Sequence, residues 1–176
     1  IRMSQYSQIM GLAHGMTEAE GDMLLNASPM HDIGKIGIPD QILLKPGKLT
    51  PEEWEIMKTH ATIGGEIMSG HDSELMKMAR EIALAHHEKW DGSGYPKGKQ
   101  GDEIPLVGRI VAVADVFDAL TTTRPYKNAW PVEEAVDYIV QNRGSHFDPQ
   151  FVDLFKKHLP DILAIRAKYP EPDVTG

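Results

Sequence analysis

Four histidines and two aspartates stand in this chain where they could hold a cation. His31-Asp32 opens the block His31-Asp32-Ile33-Gly34-Lys35, and His60 stands alone. His86-His87 opens a longer block running through Glu88, Asp91, Gly92, Ser93, Gly94, Tyr95 and Pro96, and Asp115 lies inside an apolar run. Neutral imidazole and carboxylate are the ligands a divalent metal takes where no thiolate is offered. The chain has no Cys, so a thiolate site is excluded.

The elements that must position these residues read as helices. Residues 2–13 look like the tail of one helix. Thr17-Glu18-Ala19-Glu20 is a capping-box signature, and its helix is expected to run to about His31-Asp32, bent by Pro29 and broken by Gly34 and Gly37. Residues 38–49 read as a loop with Pro39, Pro46 and Gly47. Thr50-Pro51-Glu52-Glu53 is a second capping box, opening a helix expected to reach about Ser69. Further helices are expected at 74–87 and 106–121, with the longest loop at 88–104 between them. Pro131 and Asp148-Pro149 open two more. No β-branched run recurs between helices, which argues against a parallel sheet.

Helical spacing aims three of the candidates inward. His60 shares a face with Ile56, Ile63 and Ile67; His86 with Leu75, Ala79, Ile82 and Ala83; Asp115 with Val107, Val111, Ala112 and Ala119. A buried carboxylate needs a cation or donors, since leaving it unpaired costs several kcal/mol. Each residue also has a plainer role open to it. His60 alone would serve as a hydrogen-bonded core residue, and Asp115 could cap a helix or pair with Arg109. His86 and His87 point about 100° apart on an ideal helix, so both reach one ion only near a helix end. His14, His71, His146 and His158 are assigned to helix ends, turns or solvent.

The 176 residues suffice for one domain with a full core, and a 41% hydrophobic content is that of a globular chain. No run is long enough for a membrane span. A net charge of −8 argues against polymeric nucleic acid as a partner, yet a small anionic substrate fits if metals and a few Lys or Arg gather positive charge locally. The absence of Cys fits a cytoplasmic address.

His31-Asp32 followed by Ile-Gly-Lys-Ile-Gly-Ile-Pro, then His86-His87-Glu88 and Asp91-Gly92-Ser93-Gly94-Tyr95-Pro96, resembles the HD-GYP family, a branch of the HD-domain phosphohydrolases. The likeness continues through Asp115-Val116-Phe117-Asp118-Ala119-Leu120 and Thr123-Arg124-Pro125-Tyr126-Lys127, and so covers nearly the whole chain. A bare His-Asp dipeptide is a weak signal; the double block is a specific one.

The resemblance implies an all-α HD-domain helical bundle with a buried di- or trinuclear metal site. It implies a metal-dependent phosphodiesterase that hydrolyses cyclic di-GMP to pGpG and GMP in bacterial second-messenger signalling, with iron or manganese as the usual metals. By position, His31, Asp32 and Asp115 would hold one ion. Asp32, His60, His86 and His87 would hold the second, with Asp32 bridging. Lys35 would contact the scissile phosphate, and Gly94, Tyr95, Pro96, Arg124 and Lys127 would shape and charge the substrate pocket. Two cations about 3.5–4 Å apart activate a shared water and clamp both oxygens of an in-line displacement at phosphorus, and Lys35 can offset the charge that develops. The family also carries a metal-binding His, with a Glu one turn earlier in three-metal members, on the helix leading into Ile1. Residues 1–176 are therefore expected to be an N-terminally incomplete HD-GYP domain of a longer protein. A regulatory domain in front, a homodimer and other signalling proteins are the expected partners. The reading from another class is a module that senses a cyclic dinucleotide or docks a protein with little turnover.

Overall fold

The computed structural model describes residues 1–124 and 127–171. Among them are ten α-helices and no extended strand, in agreement with the all-α expectation. Helix α1 (Arg2–His14) precedes α2 (Glu18–Ala27), whose capping box forms as expected: Glu20 N–H donates to Thr17 Oγ1, and Glu20 Oε1 accepts from Thr17 N–H. Helix α2 ends before Pro29 instead of bending through it. The chain tightens into one 3₁₀ turn at Ser28–Met30 and another at Ile33–Gly37, with His31 and Asp32 half-buried at the junction between them. Pro29 occupies the early part of the first 3₁₀ turn, where its missing N–H costs nothing.

The segment expected as a loop contains a one-turn helix, α3 (Asp40–Leu43), which buries Ile42. Thr50 caps α4 (Pro51–Lys58) through the second capping box. The expected single helix to Ser69 is in fact two, because the chain breaks at Thr59 and restarts as α5 (His60–Ile67). Thr59 Oγ1 donates to the Ile56 carbonyl at 2.6 Å, which closes the end of α4. This break resets the helical phase between Ile56 and His60, and Ile56 is 43% exposed. Ile67, also expected beside His60 on an inward face, stands in the last turn of α5 and is likewise 43% exposed; the buried face of α5 is His60, Ala61, Gly64 and Gly65.

Helix α6 (Glu74–Ala85) ends at His86, which caps it, and α7 (Leu106–Thr121) matches its expected bounds. Helices α8 (Val132–Gln141) and α9 (Pro149–Lys157) open at Pro131 and Asp148 as expected. Helix α10 (Leu159–Lys168) follows and was not expected, although Pro160 in its first turn signals it. The apolar α7 is the central post, packed against α1, α6, α8 and α9. Around it Tyr6, Met10, Ile82, Ile110, Phe117, Ile139, Phe151 and Phe155 are fully buried. Phe117 meets Tyr6 edge-on at 5.5 Å and Phe155 at 5.0 Å. That rigid centre fixes Asp115 on α7 against the C-terminal end of α6. No helix among the described residues is long and apolar enough to cross a membrane.

Candidate metal centre

The four histidines and two aspartates come from four places in the chain and meet in one pocket. Asp32 stands at its middle. Its Oδ2 lies 3.0 Å from His31 Nε2 and 3.1 Å from Lys35 Nζ; its Oδ1 lies 3.5 Å from His86 Nε2 and 3.9 Å from His60 Nδ1. Asp115 Oδ1 approaches His31 Nε2 from the other side at 3.4 Å. The plainer role for Asp115 as a partner of Arg109 fails, because Arg109 Nη1 donates to Asp148 at 2.8 Å. Donor atoms of His31, Asp32 and His86 all lie within 4.8 Å of one another, and so do those of Asp32, His60 and His87. His86 and His87 thus face neighbouring trios that share Asp32. The helix stops at His86, which frees His87 from the helical 100° offset.

The second nitrogens of two rings are already spoken for. His31 Nδ1–H donates to the Ser28 carbonyl at 2.7 Å, and His86 Nδ1–H to the Ile82 carbonyl at 2.9 Å. Each bond fixes the tautomer that leaves Nε2 free toward Asp32, as metal-ligating histidines require. Three buried polar atoms here have no hydrogen-bond partner: Asp32 Oδ1, His60 Nδ1 and His86 Nε2. Buried polar atoms are rarely left so. Their convergence on one small space, with an all N/O donor set, fits divalent cations, which would give these orphan atoms a partner.

Electrostatics agree. Burial pushes His60 down to about 4 and, with His86 beside it, His87 down to about 2, so both imidazoles stay neutral and able to ligate. Burial works against charge on His31, but hydrogen bonds with Asp115 and Asp32 outweigh it and carry that ring up to about 10. Burial likewise opposes the charge on Asp32 and Asp115, yet their histidine partners hold both carboxyls below the usual range. Without a cation, the proton on His31 supplies the positive charge between the carboxylates; metal uptake would expel it.

Two tight backbone approaches place the candidate ligands. The 3₁₀ turn after Asp32 lies directly on α5, where a Cβ at Gly34 would collide with the His60 carbonyl oxygen and the Gly64 amide nitrogen. Gly34 therefore does more than break a helix; it lets the His31-Asp32 segment touch the His60 segment. Likewise a Cβ at Gly94 would strike the His87 carbonyl and the Lys89 amide, and Tyr95 N–H donates to that His87 carbonyl at 3.2 Å.

Tyr95 stacks on His87, with centroids 4.8 Å apart and planes 16° apart. Burial and the negative charge of Asp32 and Asp115 push its phenol up, so it remains a protonated donor. Pro96 instead lines a surface groove with Thr62, Leu84 and Lys97. Arg124 and Lys127 pair through their backbones, Arg124 N–H to Lys127 O at 2.8 Å and Lys127 N–H to Arg124 O at 3.1 Å. Both side chains are exposed, and the Lys127 ammonium lies 5.5 Å over Trp130. Among the described residues no ion pair joins either to the carboxylates of the cluster. Pro125 and Tyr126, part of the same motif, lie outside the described residues.

Glu88 has a role the sequence did not disclose. Its carboxylate is 2% exposed and accepts from Lys97 N–H at 2.8 Å and Lys99 N–H at 3.0 Å, clamping the loop that carries Tyr95. Backbone bonds from Trp90 N–H to His146 O and from Asp91 N–H to Ser145 O anchor the same loop to the α8–α9 connection. We expect Glu88→Ala to cost about 2–4 kcal/mol locally, since two amides lose a charged acceptor. Amide exchange at Lys97 and Lys99 should then quicken at least about 30-fold; unchanged exchange would refute the clamp.

Residues 1–151 match the family model described as "HD domain". A 3′3′-cGAMP-specific phosphodiesterase of Vibrio cholerae is 49% identical over 170 residues, covering 97% of this chain and 33% of that protein. A cyclic di-GMP phosphodiesterase of Thermotoga maritima is 51% identical over 161 residues, covering 92% of this chain and 44% of that protein. This chain belongs to the HD domain family, in its HD-GYP branch. The HD fold is seen in two solved structures: an HDG"Y"P protein from Bdellovibrio bacteriovorus, with a TM-score of 0.69 at 21% identity over 91% of this chain and 51% of that one, and a cyclic GMP-AMP-specific phosphodiesterase of V. cholerae, with a TM-score of 0.65 at 20% identity over 93% of this chain and 44% of that one. HD-domain phosphohydrolases bind divalent metals, and the His/Asp cluster lies within the matched residues. The chain spans between a third and under half the length of these two curated relatives.

Proposed function

We propose that this chain is the catalytic domain of a metal-dependent phosphodiesterase that hydrolyses cyclic di-GMP to pGpG and GMP. One observation carries the reading: a single carboxylate, Asp32, faces a different set of imidazoles with each oxygen, and buried donor atoms around it lack partners. Relatives at about half identity named as cyclic di-GMP and 3′3′-cGAMP phosphodiesterases support the substrate class.

His31, Asp32 and Asp115 would hold one cation, and Asp32, His60, His86 and His87 a second; two or three ions, iron or manganese, fit the donor set. Such ions activate water and neutralise charge at phosphorus when bound. Asp32 keeps the two donor sets together. Lys35, beside Asp32 and partly exposed, presents its ammonium to a phosphate arriving at the pocket. Tyr95 offers a phenolic donor at the rim, with Gly94 and Pro96 holding its loop in shape. Arg124 and Lys127, just beyond the end of α7 and turned to solvent, would receive the outer phosphate and base edges. All six family ligands that fall within residues 1–176 are present, which favours turnover over mere sensing. The protein would work in the bacterial cytoplasm as a homodimer or with other signalling proteins, behind an N-terminal regulatory domain.

The test is incubation of the whole protein with cyclic di-GMP under reducing conditions with Fe²⁺ or Mn²⁺, followed by chromatography. pGpG or GMP is the expected product, and its loss on chelation is expected with it. A metal-loaded protein that leaves every cyclic dinucleotide intact would overturn the proposal.

A further inference from the structure

Helix α4 is an anomaly in this fold, because none of its eight residues is buried. It carries a tryptophan, the side chain with most to gain from burial, yet Trp54 is 45% exposed. Trp54 is not loosely placed. Its ring meets Tyr95 edge-on, with centroids 5.8 Å apart and planes 86° apart. Tyr95 in turn stacks on His87, so the indole is one ring removed from the metal cluster. Lys58, four residues on and thus on the same helical face, puts its ammonium 5.9 Å from the Tyr95 centroid. Glu55 holds that ammonium in place at 2.7 Å.

We propose that Trp54 is a substrate-binding residue whose free face stacks on a purine base of the cyclic dinucleotide, with Lys58 beside it facing the phosphodiester ring. The inference rests on the phosphodiesterase reading and extends it from the phosphate to the base. The chemistry matches the ligand: a purine presents a flat π-face, and aromatic platforms bind such faces whatever the base identity. Tyr95 supports the indole through this edge contact, which lowers the cost of ordering the ring when a base arrives. This wall also explains why α4 stays on the rim and not in the core, since its aromatic surface is kept for a ligand.

The test compares wild type, Trp54→Ala and Trp54→Phe for KM, kcat, metal content, thermal midpoint and quenching of indole fluorescence by cyclic di-GMP. Trp54→Ala is expected to raise KM about tenfold, with kcat within about threefold. Trp54→Phe should recover most of the affinity while losing the fluorescence quench. Metal content and midpoint should be the same in all three. Wild-type KM in the alanine protein would overturn the proposal, and so would a KM rise that comes with metal loss or is not rescued by phenylalanine. If wild type binds the nucleotide without hydrolysing it, the dissociation constant is read in place of KM; that result rejects the phosphodiesterase reading while still deciding the role of Trp54.

Discussion

An Asp32→Ala protein should lose metal and turnover together, with hydrolysis falling at least about 10³-fold. Asp32 is the one group that faces His31, His60, His86 and Lys35 at once, at 3.0 to 3.9 Å. Removing it leaves the second donor set with histidines alone and the first with Asp115 as its one carboxylate, too little negative charge for two cations. It also takes away one of the two carboxylates that hold the proton on His31, so that ring should titrate closer to its ordinary value. Asp32→Asn isolates charge from shape, because it keeps one oxygen in the same place but neutral. We expect the asparagine protein to retain its fold and bind metal far more weakly. Metal per chain from mass spectrometry, read beside turnover, checks both. Turnover within tenfold of wild type, with metal retained, would remove Asp32 from the centre of the site.

Gly34→Ala should be nearly as damaging although the side chain added is a single methyl. The Cβ has no space, since the His60 carbonyl and the Gly64 amide already occupy it, and both are backbone atoms that cannot swing aside. The 3₁₀ turn must therefore lift off α5, which draws His31 and Asp32 away from His60. Overpacking of this kind costs about 1–3 kcal/mol, equivalent to roughly 2–12 °C in thermal midpoint for a chain of this size. Metal content should fall in step. Gly64→Ala serves as the milder comparison: its Cβ would sit 3.3 Å from both the Gly34 nitrogen and the Ala83 methyl, a tight contact that asks the neighbours to move by only a few tenths of an ångström. Equal behaviour of the two alanine proteins would show that the close approach does not govern ligand placement.

Much of this architecture was legible in the residues because local chemistry determines it. Thr17 with Glu20, and Thr50 with Glu53, announce helix starts that form with both reciprocal bonds in place. The apolar run of α7 reads at its true bounds because Pro105 opens it and nothing inside interrupts it. The break at Thr59 was not legible. A threonine hydroxyl turning back onto the Ile56 carbonyl leaves no pattern in composition, and missing it put Ile56 on the wrong face. The histidines and aspartates were visible as candidates by type and by family resemblance. Their convergence depends on contacts between segments far apart in sequence, such as Gly34 against His60. Glu88 was hidden for the same reason: its partners are amides nine and eleven residues away, across a loop whose path no periodicity describes. Trp54 gave no signal in the sequence, because its exposure follows from α4 having none of its residues buried.

The three partnerless atoms at Asp32, His60 and His86 bear on the life of the molecule as well as on its chemistry. A folded state that shelters unsatisfied polar atoms is poorer by their desolvation, and an ion that binds only that state raises the free energy of unfolding with the logarithm of its concentration. Chelation would then lower the melting temperature before any assay of catalysis is run. In a cell, where small changes in stability alter how much of a protein escapes proteolysis, starvation for the ion would thin the population of this domain, tying its abundance to nutrient supply.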